Sequence, residues 1–161
     1  MYIRTREGSA QGPLQYTFGD APAKPCKPKY LVTHFRPGSS KLLPLHAKIL
    51  RDIAKHIVRT LQSQKVKAGI TGKADIDLVL HFEGHVDKKT DPSNFRELDA
   101  DRASIVQWAL ENNIVAFLKG QALSMRFEYA HAGSLPISTD SRTNRGVVVC
   151  VRSIKVKQAS P

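Results

Sequence analysis

The segment FEGHVDKKTDPSNFRELDADRASIV, residues 82–106, decides how this chain is interpreted. Its many ionisable groups lie between two apolar runs, where we expect a strand to end at Asp87 and a helix to begin near Asp99. Carboxylates at such a junction have three explanations. They form a metal or catalytic site, they belong to a cradle for a charged ligand, or they reflect the ordinary polarity of a loop.

Alternating apolar and polar residues precede that junction. A period of two is typical of a strand with one face in the core, and the apolar positions are Ile76, Leu78, Leu80, Phe82 and Val86. After the junction, Asp99 is a good N-cap residue for a helix that we expect to run to about Asn112. The apolar side of this helix comprises Ala103, Val106, Ala109 and Leu110.

The other regular elements complete the order of the fold. Pro44 is suited to the first position of a helix that runs to about Gln64. This helix has an apolar face and an opposite basic face of Lys48, Arg51, Lys55 and Arg59. Short apolar runs predict strands at 30–35, 122–130 and 145–157. The order βαβαβ(β) predicts an α/β (α+β) two-layer sandwich with the helices on one face of a mixed sheet.

The beginning of the chain has a different composition. It is rich in glycine and proline and shows little periodicity, which predicts a flexible arm or linker. Within it, LQYTF at 14–18 could add an edge strand. We therefore expect an arm at 1–29, a domain at 30–157 and a tail at 158–161.

Length and composition limit the class of protein. The 161 residues suffice for one domain with a real core, and a hydrophobic content of 41% is typical of a globular protein. No apolar run reaches the roughly 18 residues that a membrane span needs, and the start shows no apolar leader. Three explanations stay open: a leader already removed, a piece of a larger chain, or a non-classical export route.

Basic residues dominate the charge. Lys and Arg number 25 against 14 acidic residues, which gives a formal net charge of +11. Such a charge favours nucleic acid, lipid head groups or a polyanionic cell wall as partners, and a solvated surface explains it equally well. A nucleic-acid binder is disfavoured because the sequence offers neither an aromatic stacking platform nor a helix-turn-helix pattern.

The two cysteines, Cys26 and Cys150, fit no metal-binding spacing. Cys150 lies in an apolar run and is interpreted as a buried thiol, whereas Cys26 lies in the proline-rich arm. AKPC at 23–26 is a poor lipobox, so we predict no lipid anchor there. A disulfide between the two cysteines stays open.

A metal or catalytic site at the junction has little support. His81, Glu83, His85 and Asp87 alternate along the predicted strand, but residues two apart on a strand are separated by about 6.6 Å. All four therefore cannot bind one ion, and no other cluster completes a site. G-x-S-x-G, P-loop and G-x-G-x-x-G motifs are also missing. We expect no metal, no cofactor and no enzymatic activity.

A cradle for a charged ligand fits the junction better. Gly84 lets a ligand or a backbone come close to the strand end, and Asp87 stands where α/β sheets commonly bind ligands. Arg102 lies in the first turn of the next helix. A carboxylate binds an ammonium group and an Arg fork binds a carboxylate, so the pair suits a zwitterion. A structural Asp–Arg ion pair that closes the loop explains the pattern equally well.

Four motifs resemble the OmpA-like domain family, the peptidoglycan-associating type of OmpA C-terminal and MotB-type domains. They are HFRPGSSKLLP, FEGHVD, LDADRASIVQWALENNI and TNRGVVVCV, and together they cover about residues 30–157. The family pattern is G-H-T-D, a polar loop with Asn, L-S-x-x-R-A-x-x-V, a helix and N-R-R-V. The spacing from the family's Asp to its Arg is matched from Asp87 to Arg102.

The resemblance implies a binding function without catalysis. Such domains bind the diaminopimelate residue of peptidoglycan stem peptides. The resemblance implies that Asp87 holds the amino group of that residue and that Arg102 holds its carboxylate. Leu98 matches the family Leu that packs under the loop, and Asp99 replaces the usual Ser N-cap.

The implied setting is the periplasm or cell envelope of a Gram-negative bacterium. There the domain would anchor a larger envelope or secretion assembly to the cell wall and associate with its subunits. Nucleic acid is not an expected partner, and membrane attachment would need a separate anchor.

The chain departs from the family pattern at three positions. Val86 replaces the Thr of G-H-T-D, and Phe95 stands at the loop Asn, with Asn94 one residue earlier. Gly146 replaces the second Arg of N-R-R-V, whereas Arg145 remains. Asn94 and Arg145 join the candidates for ligand binding. The alternative function is a degenerate pocket on the same fold that serves as a protein-interaction module.

Overall fold

The computed structural model describes residues 2–7, 15–18, 26, 28–92 and 97–159, and its strands form one mixed sheet. The strands are β1 (Tyr2–Glu7), β2 (Gln15–Phe18), β3 (Lys29–Val32), β4 (Ala74–His85), β5 (Ala122–Gly133) and β6 (Gly146–Gln158). The helices are α1 (Pro44–Lys67), α2 (Leu98–Phe117) and the short α3 (Ser141–Asn144). The strand order is β2-β1-β5-β4-β6-β3, which places β4 inside the sheet.

Both long helices pack on one face of this sheet. β4 and β5 run parallel, joined through α2, and the other neighbouring strands are antiparallel. Alternate residues of β4 share a single core cluster with α1 and α2, formed among others by Leu78, Leu80, Leu50, Ile57, Val106 and Leu110. The predicted α/β class with helices on one face of a mixed sheet is therefore confirmed.

The helix boundaries differ in part from the prediction. α1 begins at Pro44 as expected. α2 begins at Leu98 with Glu97 in the N-cap position, so the prediction of Asp99 as the N-cap is wrong. It ends at Phe117, five residues beyond the predicted Asn112, because the fully buried Ile114 extends its apolar side. In the part of the chain that the structure describes, no helix has the length and apolar character that a membrane crossing requires.

Two strands lie within the segment predicted as an arm. β2 pairs with β1 at the edge of the sheet, which confirms the expected edge strand in LQYTF. β1, which the sequence did not predict, pairs antiparallel with β5. The division into arm, domain and tail stays a prediction.

Cys26 and Cys150 form a disulfide, with the sulfur atoms 1.99 Å apart and the Cα atoms 5.6 Å apart. The interpretation of Cys150 as a buried thiol is therefore wrong. Val149 and Val151 face the core, so Cys150 between them lies on the face of the sheet opposite the helices. The bond covalently joins the segment before β3 to β6.

Candidate functional site

The loop between β4 and α2 begins with a tight turn that contains two acids. The Asp91 N–H donates to the Asp87 carbonyl at 2.9 Å, and the Asp87 N–H donates to Oδ2 of Asp91 at 2.7 Å. The loop continues to α2 through residues 93–96, so the predicted candidate Asn94 and the departure at Phe95 lie outside the described residues.

Arg102 is completely buried in the first turns of α2. Its Nη1 donates to Asp91 Oδ2 at 2.7 Å and to the His85 carbonyl at 3.0 Å. Its Nη2 donates to Asp91 Oδ1 at 2.8 Å and to the Arg36 carbonyl at 3.2 Å. Its Nε donates to the Ser39 carbonyl at 2.9 Å. A guanidinium has five N–H groups, so every donor of Arg102 binds a group of the protein itself.

The Arg102 fork, which the sequence analysis assigns to a ligand carboxylate, is therefore occupied by the protein itself in this structure. The alternative of a structural Asp–Arg ion pair is present, but its acid is Asp91 and not Asp87. Asp91 was not singled out from the sequence. The available signal was the tripeptide Thr-Asp-Pro, which places a carboxylate in a turn ahead of an arginine in a helix start.

The Asp91 carboxylate is enclosed on both sides. Besides the two Arg102 contacts, Oδ1 accepts from the Gly38 N–H at 2.7 Å and Oδ2 from the Asp87 N–H at 2.7 Å. Only 3% of its side chain is exposed. Burial raises the pKa of Asp91, but hydrogen bonds from Arg102, Gly38 and Asp87 outweigh burial and hold the pKa below its ordinary value. The pair is thus charged and hydrogen-bonded within the fold.

Asp87 is buried just beyond the end of β4. Its Oδ2 accepts from both the N–H and the hydroxyl of Thr90, at 2.8 and 2.6 Å. Burial raises the pKa of Asp87, whereas hydrogen bonds from Thr90, Asn144 and Ser141 lower it, and the net shift is downward. Asp87 is therefore an ionised carboxylate surrounded by neutral donors, and Asp91 lies between it and Arg102.

Arg145 reaches the same turn from the residue before β6, whose first residue, Gly146, pairs with His85 at the end of β4. Its Nε donates to the Phe35 carbonyl at 2.6 Å and its Nη1 to the Thr90 hydroxyl at 2.7 Å. Since that hydroxyl donates to Asp87, Arg145 acts on Asp87 through Thr90. Of the remaining candidates, Leu98 is buried at the start of α2.

Asp99 lies on the β5 side of the loop. Its Oδ1 accepts from the Ala100 N–H at 2.8 Å, and its Oδ2 accepts from the Gly133 N–H at 3.1 Å. The His131 ring is 3.4 Å from Oδ1. Asp99 therefore joins α2 to the end of β5, and its contacts are separate from the Asp91–Arg102 pair.

Two glycines permit close backbone contacts around the site. A Cβ at Gly84 would lie 1.8 Å from the Asp99 carbonyl oxygen, so the close approach predicted for Gly84 is to the backbone of α2. A Cβ at Gly146 would lie 2.7 to 2.8 Å from Thr33 and the Val32 carbonyl. A side chain at position 146 would therefore collide with β3, which is a structural reason for the glycine that the sequence has there.

The ionisable side chains on the face of β4 opposite the helices form separate pairs. His85 Nε2 is 2.6 Å from Glu83 Oε1, and its Nδ1 is 2.7 Å from the Leu135 carbonyl. His81 lies 3.6 Å from Glu128 instead. Among the described residues, no three such side chains converge in a way that could hold a metal ion.

A groove of about 640 Å³ lies at the start of β4, at the opposite end of that strand from Asp87. Its charged lining consists of Asp75, Asp77, Lys155 and Lys157. Asp75 faces Lys157 and Asp77 faces Lys155 in the strand register, so the charges balance in pairs. This groove is separate from the site around Asp91.

Comparison with known proteins gives structural likenesses only. No protein-family model matches the chain, and no curated protein matches it. The chain is similar to the C-terminal domain of Helicobacter pylori MotB, at 19% identity over 81% of this chain and 86% of that chain, with a TM-score of 0.44. A structure of the periplasmic domain of the same protein is 18% identical over 78% and 81% of the two chains, with a TM-score of 0.45. Because these values are low, the function is inferred from the sequence motifs and the contacts of the site.

Proposed function

We propose that this chain is a non-catalytic peptidoglycan-binding domain that anchors a larger envelope or secretion assembly to the cell wall. The observation that carries the proposal is the convergence of Asp87, Asp91 and Arg102 on one turn at the carboxyl end of β4, with Asp87 and Arg102 at the spacing of the OmpA-like motif. The carboxyl ends of strands are where α/β sheets commonly bind ligands. The disulfide suits an oxidising compartment such as the periplasm.

The finer proposal concerns the ligand. Asp87 would bind the ammonium group and Arg102 the carboxylate of the diaminopimelate residue, since a carboxylate and an Arg fork together recognise a zwitterion. Arg145 would assist by orienting Thr90 beside Asp87. Leu98 and Asp99 would support the loop from the start of α2, and Asn94 remains a candidate contact of the loop.

Binding to insoluble peptidoglycan sacculi tests the proposal. Asp87→Asn removes the charge of the ammonium receptor and keeps its shape, so we expect sedimentation with sacculi to weaken by about 10-fold or more. Asp101→Asn is the matched control, because Asp101 is exposed in the first turn of α2 and the change in charge is the same. Circular dichroism verifies that both variants are folded. If Asp87→Asn binds sacculi as tightly as the control does, this turn is not the binding site.

A second candidate function is a protein-interaction module with a closed pocket. The observation that favours it is the engagement of all five Arg102 N–H groups by the protein's own acceptors. On this reading the turn has only a structural role. The wild-type protein would then show no saturable binding to soluble diaminopimelate-containing muropeptides in calorimetry.

A further inference from the structure

Four N–H donors from three segments of the chain converge on one carboxylate. Each oxygen of Asp91 accepts one bond from the Arg102 fork and one from a backbone amide, that of Gly38 or Asp87. We call these donors, the amides of Gly38 and Asp87 and the fork of Arg102, the carboxylate seat. Donors arranged in this way would hold any small carboxylate, because charge-assisted and bidentate hydrogen bonds are the strong ones.

We propose that Asp91 is the resident occupant of this seat, and that a ligand carboxylate binds by taking its place. Most of the seat is held by contacts that do not involve Asp91. Arg102 belongs to α2, and its three remaining hydrogen bonds hold the carbonyls of Arg36 and Ser39, on either side of Gly38, and of His85 at the end of β4. The Asp91 side chain belongs to the connecting loop, so it can leave the seat while Arg102 and Gly38 keep their places.

The identity of the natural ligand rests on the proposed function. The existence of the seat rests only on the hydrogen bonds to Asp91. Any incoming carboxylate competes with a side chain that is tethered beside the seat, and tethering gives Asp91 a high effective concentration. The apparent affinity of a ligand is reduced by the small fraction of molecules in which the seat is vacant. Asp91 would thus determine how tightly, and how selectively, this domain binds carboxylates.

Chemical rescue of a vacated seat tests the inference. Asp91→Ala leaves the Arg102 guanidinium buried without its acid, and we expect Tm in a chloride buffer to fall by roughly 6–15 °C. Acetate at about 100 mM, at matched ionic strength, should restore much of this loss by occupying the seat. Wild-type Tm should not differ between acetate and chloride, because its seat is already filled.

Two further variants act as controls. Asp101→Ala removes an exposed acid of α2, and its Tm should be the same in acetate and in chloride. Asp91→Ala combined with Arg102→Met has no fork, so acetate should not raise its Tm. If Asp91→Ala does not fold in chloride, we expect it to refold when acetate replaces chloride, and this is measured instead of Tm. Asp91→Ser, whose shorter side chain also vacates the seat, provides a second host for the rescue.

The inference is wrong if acetate stabilises neither Asp91→Ala nor Asp91→Ser relative to chloride. A muropeptide measurement separates it from the proposed function. If diaminopimelate-containing muropeptides bind wild type, Asp91→Ala should bind them more tightly in chloride buffer, and equal or weaker binding would contradict the exchange. If muropeptides bind neither protein while acetate still rescues Asp91→Ala, the seat exists and the peptidoglycan proposal fails.

Discussion

Asp87 and Asp91 are joined by two hydrogen bonds: the Asp87 N–H donates to the Asp91 carboxylate at 2.7 Å, and the Asp91 N–H donates to the Asp87 carbonyl at 2.9 Å. Their side chains nevertheless have different partners. The Asp91 carboxylate binds the Arg102 fork, and the Asp87 carboxylate binds Thr90. One turn therefore presents two ionised acids in two environments, and a change at either acid acts on the other.

A double-mutant cycle should show that Asp91 and Arg102 are coupled. Arg102→Met leaves the Asp91 carboxylate buried without its cation, and we expect a loss of about 3–5 kcal/mol in the free energy of unfolding. The double variant Asp91→Ala/Arg102→Met should lose about 1–3 kcal/mol less than the sum of the losses of the two single variants. Urea denaturation measures all four proteins. Strict additivity would contradict the pairing described for Arg102.

Gly84→Ala should be strongly destabilising. The new Cβ would meet the Asp99 carbonyl oxygen at 1.8 Å, so β4 and α2 must separate. We expect a loss of at least about 1–3 kcal/mol, in the range of overpacked cores. Gly69→Ala is the control, because its Cβ would meet nothing within 4 Å and it tests only the strain of a positive φ. Equal losses for the two variants would contradict the close contact.

Stability should begin to fall on the acid side of neutrality because of His46. Its Nδ1 accepts from the Leu43 N–H and its Nε2 donates to the Thr33 carbonyl, so the neutral ring caps α1. Burial lowers the pKa of His46 below its ordinary value. The unfolded chain therefore binds the proton first, and stability that is complete above about pH 6.5 is lost as the pH falls toward the folded pKa. Thermal melts between about pH 7.5 and 5 measure the slope, which should be smaller in His46→Gln.

Breaking the disulfide should lower the free energy of unfolding, but the sheet should stay folded. Closing a loop as long as the 124-residue separation of Cys26 and Cys150 is expected to contribute about 2–5 kcal/mol. Melts with and without a reductant measure this for wild type. The double variant Cys26→Ala and Cys150→Ala is the control, since its Tm should be independent of the reductant. A wild-type Tm that a reductant does not change would contradict the bond.

The proposed binding of peptidoglycan should discriminate between two wall chemistries. Lysine-type stem peptides lack the terminal carboxylate that Arg102 would bind, so lysine-type muropeptides should compete at least about 10-fold less well. Salt provides the companion test, because attraction between a +11 protein and a polyanion is screened whereas a buried pair is screened much less. Equal competition that disappears at high salt would indicate nonspecific adsorption.

Local patterns predicted the framework of the fold. The period of two in β4 and the proline at the start of α1 report which side of an element is buried and where it begins. These signals depend on neighbours in sequence, and Pro44 and Ile76 lie where they predicted.

The contacts of the site could not be predicted in the same way. The quoted segment contains several acids, and periodicity does not tell which one faces Arg102. That choice depends on the Arg36 and Ser39 carbonyls, which come from the turn after β3 and position the guanidinium against Asp91. Whether Cys150 pairs with Cys26 stayed open for the same reason, because only the folded chain brings the two cysteines together.

The disulfide also determines where a mechanical load enters the domain. β3 is a four-residue strand at the sheet edge, and a pull applied at residue 26, between β2 and β3, would reach β3 first if the backbone were the only connection. Through Cys26 and Cys150 the tension passes directly to β6, a 13-residue strand hydrogen-bonded to both β3 and β4. A domain built in this way distributes a sideways pull over the inside of its sheet and protects the edge strand from peeling.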